Sequence, residues 1–241
     1  MGHSLTVATK ELRSSLNSPL AYVFIGVFTI ASWAIFFFVE KFFARDEATM
    51  RSLFTWMPWL LLAVGPALTM SLWASERRVG TWEILATSPV STSNLVVGKF
   101  LAALGLLVLA LAFTIPIATT VNGFGNLDFG ATLGGYLGCV LLGSVFIAAG
   151  LFCSSLVQDE LVALVLGWTI GAVLMLPGLG FWESLVGTNA ASALRQFGVG
   201  ARFEASARGL LELRDIVLYI SLTVGLLSAN GAVVASRRHG N

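Results

Sequence analysis

Charged side chains are sparse in this sequence, and four of them fall together: Glu76, Arg77, Arg78 and Glu83, within the stretch SERRVGTWEILATSPVSTS of residues 75 to 93. Their types suit ion pairing with a partner rather than bond making. Gly80 or Thr81 can cap a short helix here, with Glu83 in its first turn, where the helix dipole favours an acid. Trp82, Leu85 and Ala86 share one face of that helix, Ser88 and Pro89 end it, and Ser91 or Ser93 starts the next. From the residues alone two readings stay open: a docking element, or an amphipathic loop on lipid headgroups.

Other reactive residue types lack the company that catalysis needs. Ser144, Ser154 and Ser155 have no base beside them in the sequence and read as helix-packing hydroxyls. His3 and His239 lie in opposite tails without ligand spacing, so neither a metal nor a cofactor site is expected. Cys139 and Cys153 fall in one predicted helix roughly 21 Å apart by helical rise, too far to bridge, and read as lipid-bathed apolar residues. The Gly98-Lys99 pair is followed by Phe100 and lacks the upstream glycine of G-x-x-x-x-G-K-[ST]. Energy from a nucleotide is therefore expected from another subunit.

The elements around these residues are apolar helices. Of 241 residues, 56% are hydrophobic and 11% charged, and the mean hydropathy is +0.86, too apolar for an ordinary soluble domain. Spans of the length a bilayer requires are expected at 20–39, 56–74, 97–121, 132–157, 161–176 and 216–235, in one domain covering 1–241. The first span reads as a retained anchor, being too long for a cleaved signal. With so few charges inside the spans, an ion-driven carrier is disfavoured. A net charge of +1 without a basic, aromatic-interleaved stripe gives no reason to expect nucleic acid.

Leu5, Ala8, Leu12 and Leu16 recur at helical spacing with Lys10, Glu11 and Arg13 among the polar positions, so residues 1–18 hold an interfacial amphipathic helix. Ser18 before Pro19 is a start signal for the first span. Gly65-Pro66 predicts a kink in the second. Gly130, Gly134 and Gly138, and later Gly167 and Gly171, would admit close neighbours. The fifth span, opened by Asp159 as an N-cap, covers roughly 25 Å before Pro177 and is expected not to cross alone. Residues 177–213 then read as a re-entrant or interfacial segment: a short helix from Thr188-Asn189 to Phe197, a break at Gly198 and Gly200, and a helix from Arg202 to Leu213. Along it Glu204, Arg208 and Glu212 form an i,i+4 charge ladder ending near Arg214, suited to a wet surface. Lysines and arginines divide equally between the two sides, so the positive-inside rule assigns no orientation.

ERRVGTWEILATSPVSTSNLVVGKF resembles the E-x-R-x-G-T-x-E-x-L-x-x-x-P-V-S…GKF signature of type-2 ABC exporter permeases. More narrowly it is similar to the gliding-motility branch and its relative in nitrous-oxide-reductase maturation. KELRSSLNSPLAYVF, PALTMSLWASE, SSLVQDELVA and FEASARGLLELRDIVLYISL extend the likeness over nearly the whole chain; Trp73-Ala74-Ser75 departs from it. The resemblance implies an all-α membrane protein of the bacterial inner membrane, with both termini cytoplasmic and a coupling helix at 75–95. It implies that Glu76, Gly80, Thr81, Glu83, Leu85 and Pro89, with Trp82 on the apolar face and Lys10 and Arg13 on the first helix, meet a separate ABC ATPase that binds ATP and Mg. It further implies a second permease copy or similar subunit, and an accessory membrane protein with an external domain, for which Glu204, Arg208, Glu212 and Arg214 are a candidate docking surface if they are not simply solvated.

Overall fold

Apolar runs long enough to cross a bilayer form six candidate spans: Pro19–Val39, Arg51–Val79, Thr92–Phe124, Phe129–Leu156, Glu160–Gly178 and Leu213–Arg238. The computed structural model describes residues 2–44, 49–80, 91–179, 182, 187, 189, 195–196, 198–210 and 212–239. Thr81, Trp82, Glu83, Leu85 and Pro89, and most of the helix expected from Thr188 to Phe197, lie outside the described residues, which contain no strand.

Helix α1 (Gly2–Leu16) is amphipathic as its spacing predicts. Ala8 is buried, and Val7, Leu12 and Leu16 pack against the core while Lys10 and Arg13 stay exposed. Ser18 then caps α2 (Pro19–Ala34) by accepting from the Leu20 amide at 3.3 Å, with proline at the first helical position. A π-turn over Ile35–Val39 prolongs α2 into a cluster of Phe36, Phe37, Phe42, Phe43 and Phe124 rings.

Helix α3 (Arg51–Val79) starts earlier and ends later than the expected span. At 29 residues it is about 43 Å long, more than the hydrocarbon core needs. It passes through Pro58 and Pro66 as one helix. Pro66 deprives the Leu62 carbonyl of its helical donor; one residue on, the Trp168 indole donates to the Ala63 carbonyl at 3.0 Å. Pro66 is also a crossing point: a Cβ at Gly150 would stand 2.6 Å from its Cα, and one at Gly167 would stand 2.8 Å from its Cβ.

The third span is two helices, α4 (Thr92–Ala112) and α5 (Ile115–Phe124), not one. Pro116 cannot donate to the Ala112 carbonyl, so the ladder stops. Side chains take up the slack: Thr114 donates to Leu111 O at 2.7 Å, and the Trp33 indole to Phe113 O at 3.3 Å.

Helix α6 (Phe129–Leu156), capped by Asp128 accepting from the Ala131 amide at 3.1 Å, is the central element. Within the most apolar window of each span it is 78% buried and α3 67%, against 22%, 22% and 17% for the first, fifth and sixth spans. The outer three therefore present apolar faces to lipid or to other subunits. Cys139 and Cys153 point into this core rather than into lipid, contrary to the expectation, and both are free. Helix α7 (Glu160–Met175) gains a 3-10 turn at Leu176–Gly178, giving the 19-residue apolar run that counts among the six spans.

After the fifth span come α8 (Val199–Ser206) and α9 (Leu213–His239). The expected helix from Arg202 to Leu213 is not continuous. Gly209 has φ +81°, and a Cβ there would lie 2.6 Å from Ala131 Cα, so the chain turns against the start of α6. The ladder ends with it: Glu204 and Arg208 pair at 2.9 Å, whereas the Glu212 carbonyl accepts from the Asp215 and Ile216 amides and opens α9. Gly134 and Gly138 receive this turn and Ser206 rather than a long helix.

Successive spans run antiparallel. One end of the bundle, called proximal, carries α1, the chain on either side of residues 81–90, the α6–α7 junction and the end of α9. Among the described residues, the distal end carries 40–44, 49–50, 125–128, 176–179, 195–196, 198–210 and 212.

Candidate functional site at the proximal end

Residues 75–79 are the last turn of α3, and Thr92 already belongs to α4, so the stretch assigned to one coupling helix is partly the ends of two spans. Gly80 closes α3 as a left-handed C-cap, φ 80°, rather than opening a following helix. Ser91 occupies the N-cap position of α4 without a side-chain cap bond. What lies between is thus approached by two helix ends, and both are fastened.

The first fastening is Ser154 of α6. Its hydroxyl donates to Met70 O at 2.8 Å and accepts from the Trp73 and Ala74 amides, each at 3.1 Å. Met70 O and Ala74 N–H are an i,i+4 pair, so the hydroxyl is wedged into the ladder of α3. Helix α6 is capped in turn: Arg77 reaches Ser155 O at 3.3 Å and Val157 O at 3.1 Å, and Arg237 reaches Leu156 O at 3.1 Å. Cations at a helix C-terminus satisfy orphan carbonyls and oppose the negative end of the dipole. Asn230 adds a 2.7 Å bond from α9 to Leu151 O. Asp159 caps α7 as expected, accepting from Leu161 and Val162, and Arg78 pairs with Glu160 at 2.9 Å.

The second fastening is Lys99, which lies just inside the start of the span expected at 97–121. Its side chain is 1% exposed. The ammonium donates to Glu76 Oε1 at 2.7 Å, Leu72 O at 2.9 Å and Glu11 Oε1 at 3.1 Å, and lies 4.8 Å from the Trp73 ring centre. A signal for it existed: Lys99 is the one charged residue between Thr92 and Phe124, and a lone ionisable group in an apolar run needs a partner. Its partners could not be read, being 88 and 23 positions away.

Of the residues expected at an ATPase contact, Glu76 is turned inward onto Lys99, Gly80 ends α3, and Lys10 and Arg13 line the exposed side of α1. Glu204, Arg208, Glu212 and Arg214 are gathered at the distal end, where Arg214 donates to Gln196 at 2.9 Å. Among the described residues no three His, Cys, Asp or Glu side chains come together as a metal site. The proximal end is an arrangement for holding helices.

A family model for ABC-2 family transporter proteins matches residues 45–197, more than half the chain and the whole of α3 to α7. The chain belongs to the ABC-2 transporter family. No curated protein matches it. As an ABC-2 protein it is a multi-pass permease subunit of an ABC transporter and works with an ABC ATPase subunit. The matched residues include both sides of the 81–90 stretch and Lys99; Glu11 of α1 and Arg237 of α9 lie outside them.

Proposed function

We propose that this permease subunit is of the exporter type and that its proximal end is the cytoplasmic face on which the ATPase docks, in a bacterial inner membrane. One observation carries the reading: the helices on either side of residues 81–90 end in fastened geometry, α3 by Ser154 and Arg77 and α4 by Lys99. ATP hydrolysis can move a membrane domain only through an element whose binding differs between nucleotide states, and such an element needs rigid anchorage. Gly80, Thr81, Trp82, Glu83, Leu85 and Pro89 are the proposed contact, flanked by Lys10 and Arg13, with Glu76 holding the base. The resemblance to the gliding-motility branch supports cytoplasmic termini and pairing with a second copy or a similar subunit.

Co-purification of the ATPase tests this. Glu83→Lys reverses a charge, and Gly80→Pro forces out the positive φ that proline cannot adopt; each is expected to cut recovery of the ATPase at least about tenfold. Undiminished recovery with both variants defeats the proposal.

A second reading makes the chain the membrane subunit of a machine that acts on an extracytoplasmic protein. The distal end favours it: a cavity of about 210 Å³ between α3, the end of α7 and α8 has Glu204 in its wall, and a second of about 400 Å³ is lined by Glu204, Glu212 and Arg214. Crosslinking from residues 195–212 in cells separates the two. A protein adduct supports the machine, for instance an accessory membrane protein with an external domain, and a small adduct supports transport.

A further inference from the structure

Lys99 has three N–H donors and three acceptors, with none left over. The acceptors come from two helices other than its own: Glu11 from α1, and Glu76 and Leu72 O from α3. The ammonium is therefore the node at which α1, α3 and α4 meet. Two of these helices flank residues 81–90, and the third, α1, lies along α4, where a Cβ at Gly105 would touch Leu12 at 3.5 Å.

Burial decides what such a node can do. An exposed pair breaks and re-forms at little cost. An ammonium that is 1% exposed cannot leave its partners without stranding a charge in a low-dielectric site. The Trp73 ring closes the remaining side. A compact tetrahedral ammonium also suits three acceptors arriving from different directions better than a planar guanidinium would.

We propose that Lys99 is a positioning residue which makes α1 and the helix ends on either side of residues 81–90 move as one body, so that a push received at those residues also displaces α1. This rests on the docking reading above, and adds that α1 is not an independent float on the membrane surface. The alternative is a purely structural lysine whose neighbours would keep their places without it.

The test uses the full chain with its co-purified ABC ATPase and spin labels at Ser14 of α1 and Val79 of α3, both exposed, while Cys139 and Cys153 are buried. Distances are measured without nucleotide and with ATP, Mg and vanadate. The native node is expected to give one narrow distance that does not change between the two states. Lys99→Met combined with Glu11→Gln and Glu76→Gln removes the tie without stranding charge, so the protein still folds. This triple variant is expected to broaden the distance and lower ATP turnover of the complex severalfold while the ATPase stays bound. A triple variant with a single narrow distance and native turnover overturns the proposal. So does a native chain whose Ser14–Val79 distance shifts with nucleotide. Failure of the native chain to bind any ATPase would instead strike the docking reading, and the distances in the chain alone would still test the node.

Discussion

Each end of the bundle holds a buried ion pair, and the two are wired differently. At the proximal end Lys99 reaches residues 88 and 23 positions away and joins three helices. At the distal end Arg202, 10% exposed, pairs with Asp215, 4% exposed, only 13 positions on, and bonds Gln196 O nearby. The first ties the bundle together, whereas the second closes a local turn between α8 and α9. The same contrast runs through the neighbours: proximal arginines cap the end of α6, while distal residues surround cavities. One end keeps its geometry and the other leaves room.

The largest expected effect comes from cutting each pair. Lys99→Met strands two carboxylates and should cost about 3–5 kcal/mol, read as a lower unfolding midpoint of the whole chain in detergent. Arg202→Met strands only Asp215. Its loss should appear as faster hydrogen exchange over 199–210 with the melting of α3 and α6 little changed. If both variants lower the global midpoint equally, the distinction between a global and a local tie is wrong.

Next in size are two glycines with nearly equal backbone angles. Gly80 has φ +80° and open space around it; Gly209 has φ +81° with Ala131 against it. A left-handed alanine costs roughly 1–2 kcal/mol. Gly80→Ala should cost about that. Gly209→Ala adds a backbone clash that no side-chain rotation relieves, so its penalty should be larger by about 1–3 kcal/mol. Equal midpoints for the two would show that the turn can back away from α6.

These contrasts mark how far the sequence could be read. Spans, the Ser18-Pro19 start, the Asp159 cap and the close approach at Gly167 were legible because each depends on local chemistry or on the length of an apolar run. The break before α5 was hidden because hydropathy continues across it, although Pro116 carried the signal. The false ladder at Glu212 came from spacing alone, which says nothing of the positive φ at Gly209. Lys99 marked half of the proximal node; Glu11 and Glu76 could not be matched to it, since nothing local joins residues so far apart.

A smaller effect belongs to Ser154. Its hydroxyl donates once to α3 and accepts twice from it, so Ser154→Ala deletes three links at once, yet Met70 O and Ala74 N–H, an i,i+4 pair, can satisfy each other within the helix. A net loss of about 1 kcal/mol is expected, with increased hydrogen exchange confined to residues 70–79. A cost several times larger would mean that the ladder does not re-close, and that the wedge sets the course of α3 toward Gly80.

The smallest effects should come from the exposed pairs, where the two ends ought to agree. Arg78, 61% exposed, pairs with Glu160 at the proximal end, and Arg208 with Glu204, 51% and 66% exposed, at the distal end. Solvent screens both, and pairs of this kind contribute about 0.2–1 kcal/mol. Double-mutant cycles on the two pairs should give coupling energies within about 0.5 kcal/mol of each other, both fading toward 1 M salt. A proximal coupling that survives high salt would mean that Arg78 is shielded as Lys99 is. The rigid region would then extend across the α6–α7 junction, and the boundary between the two ends would have to be drawn further out.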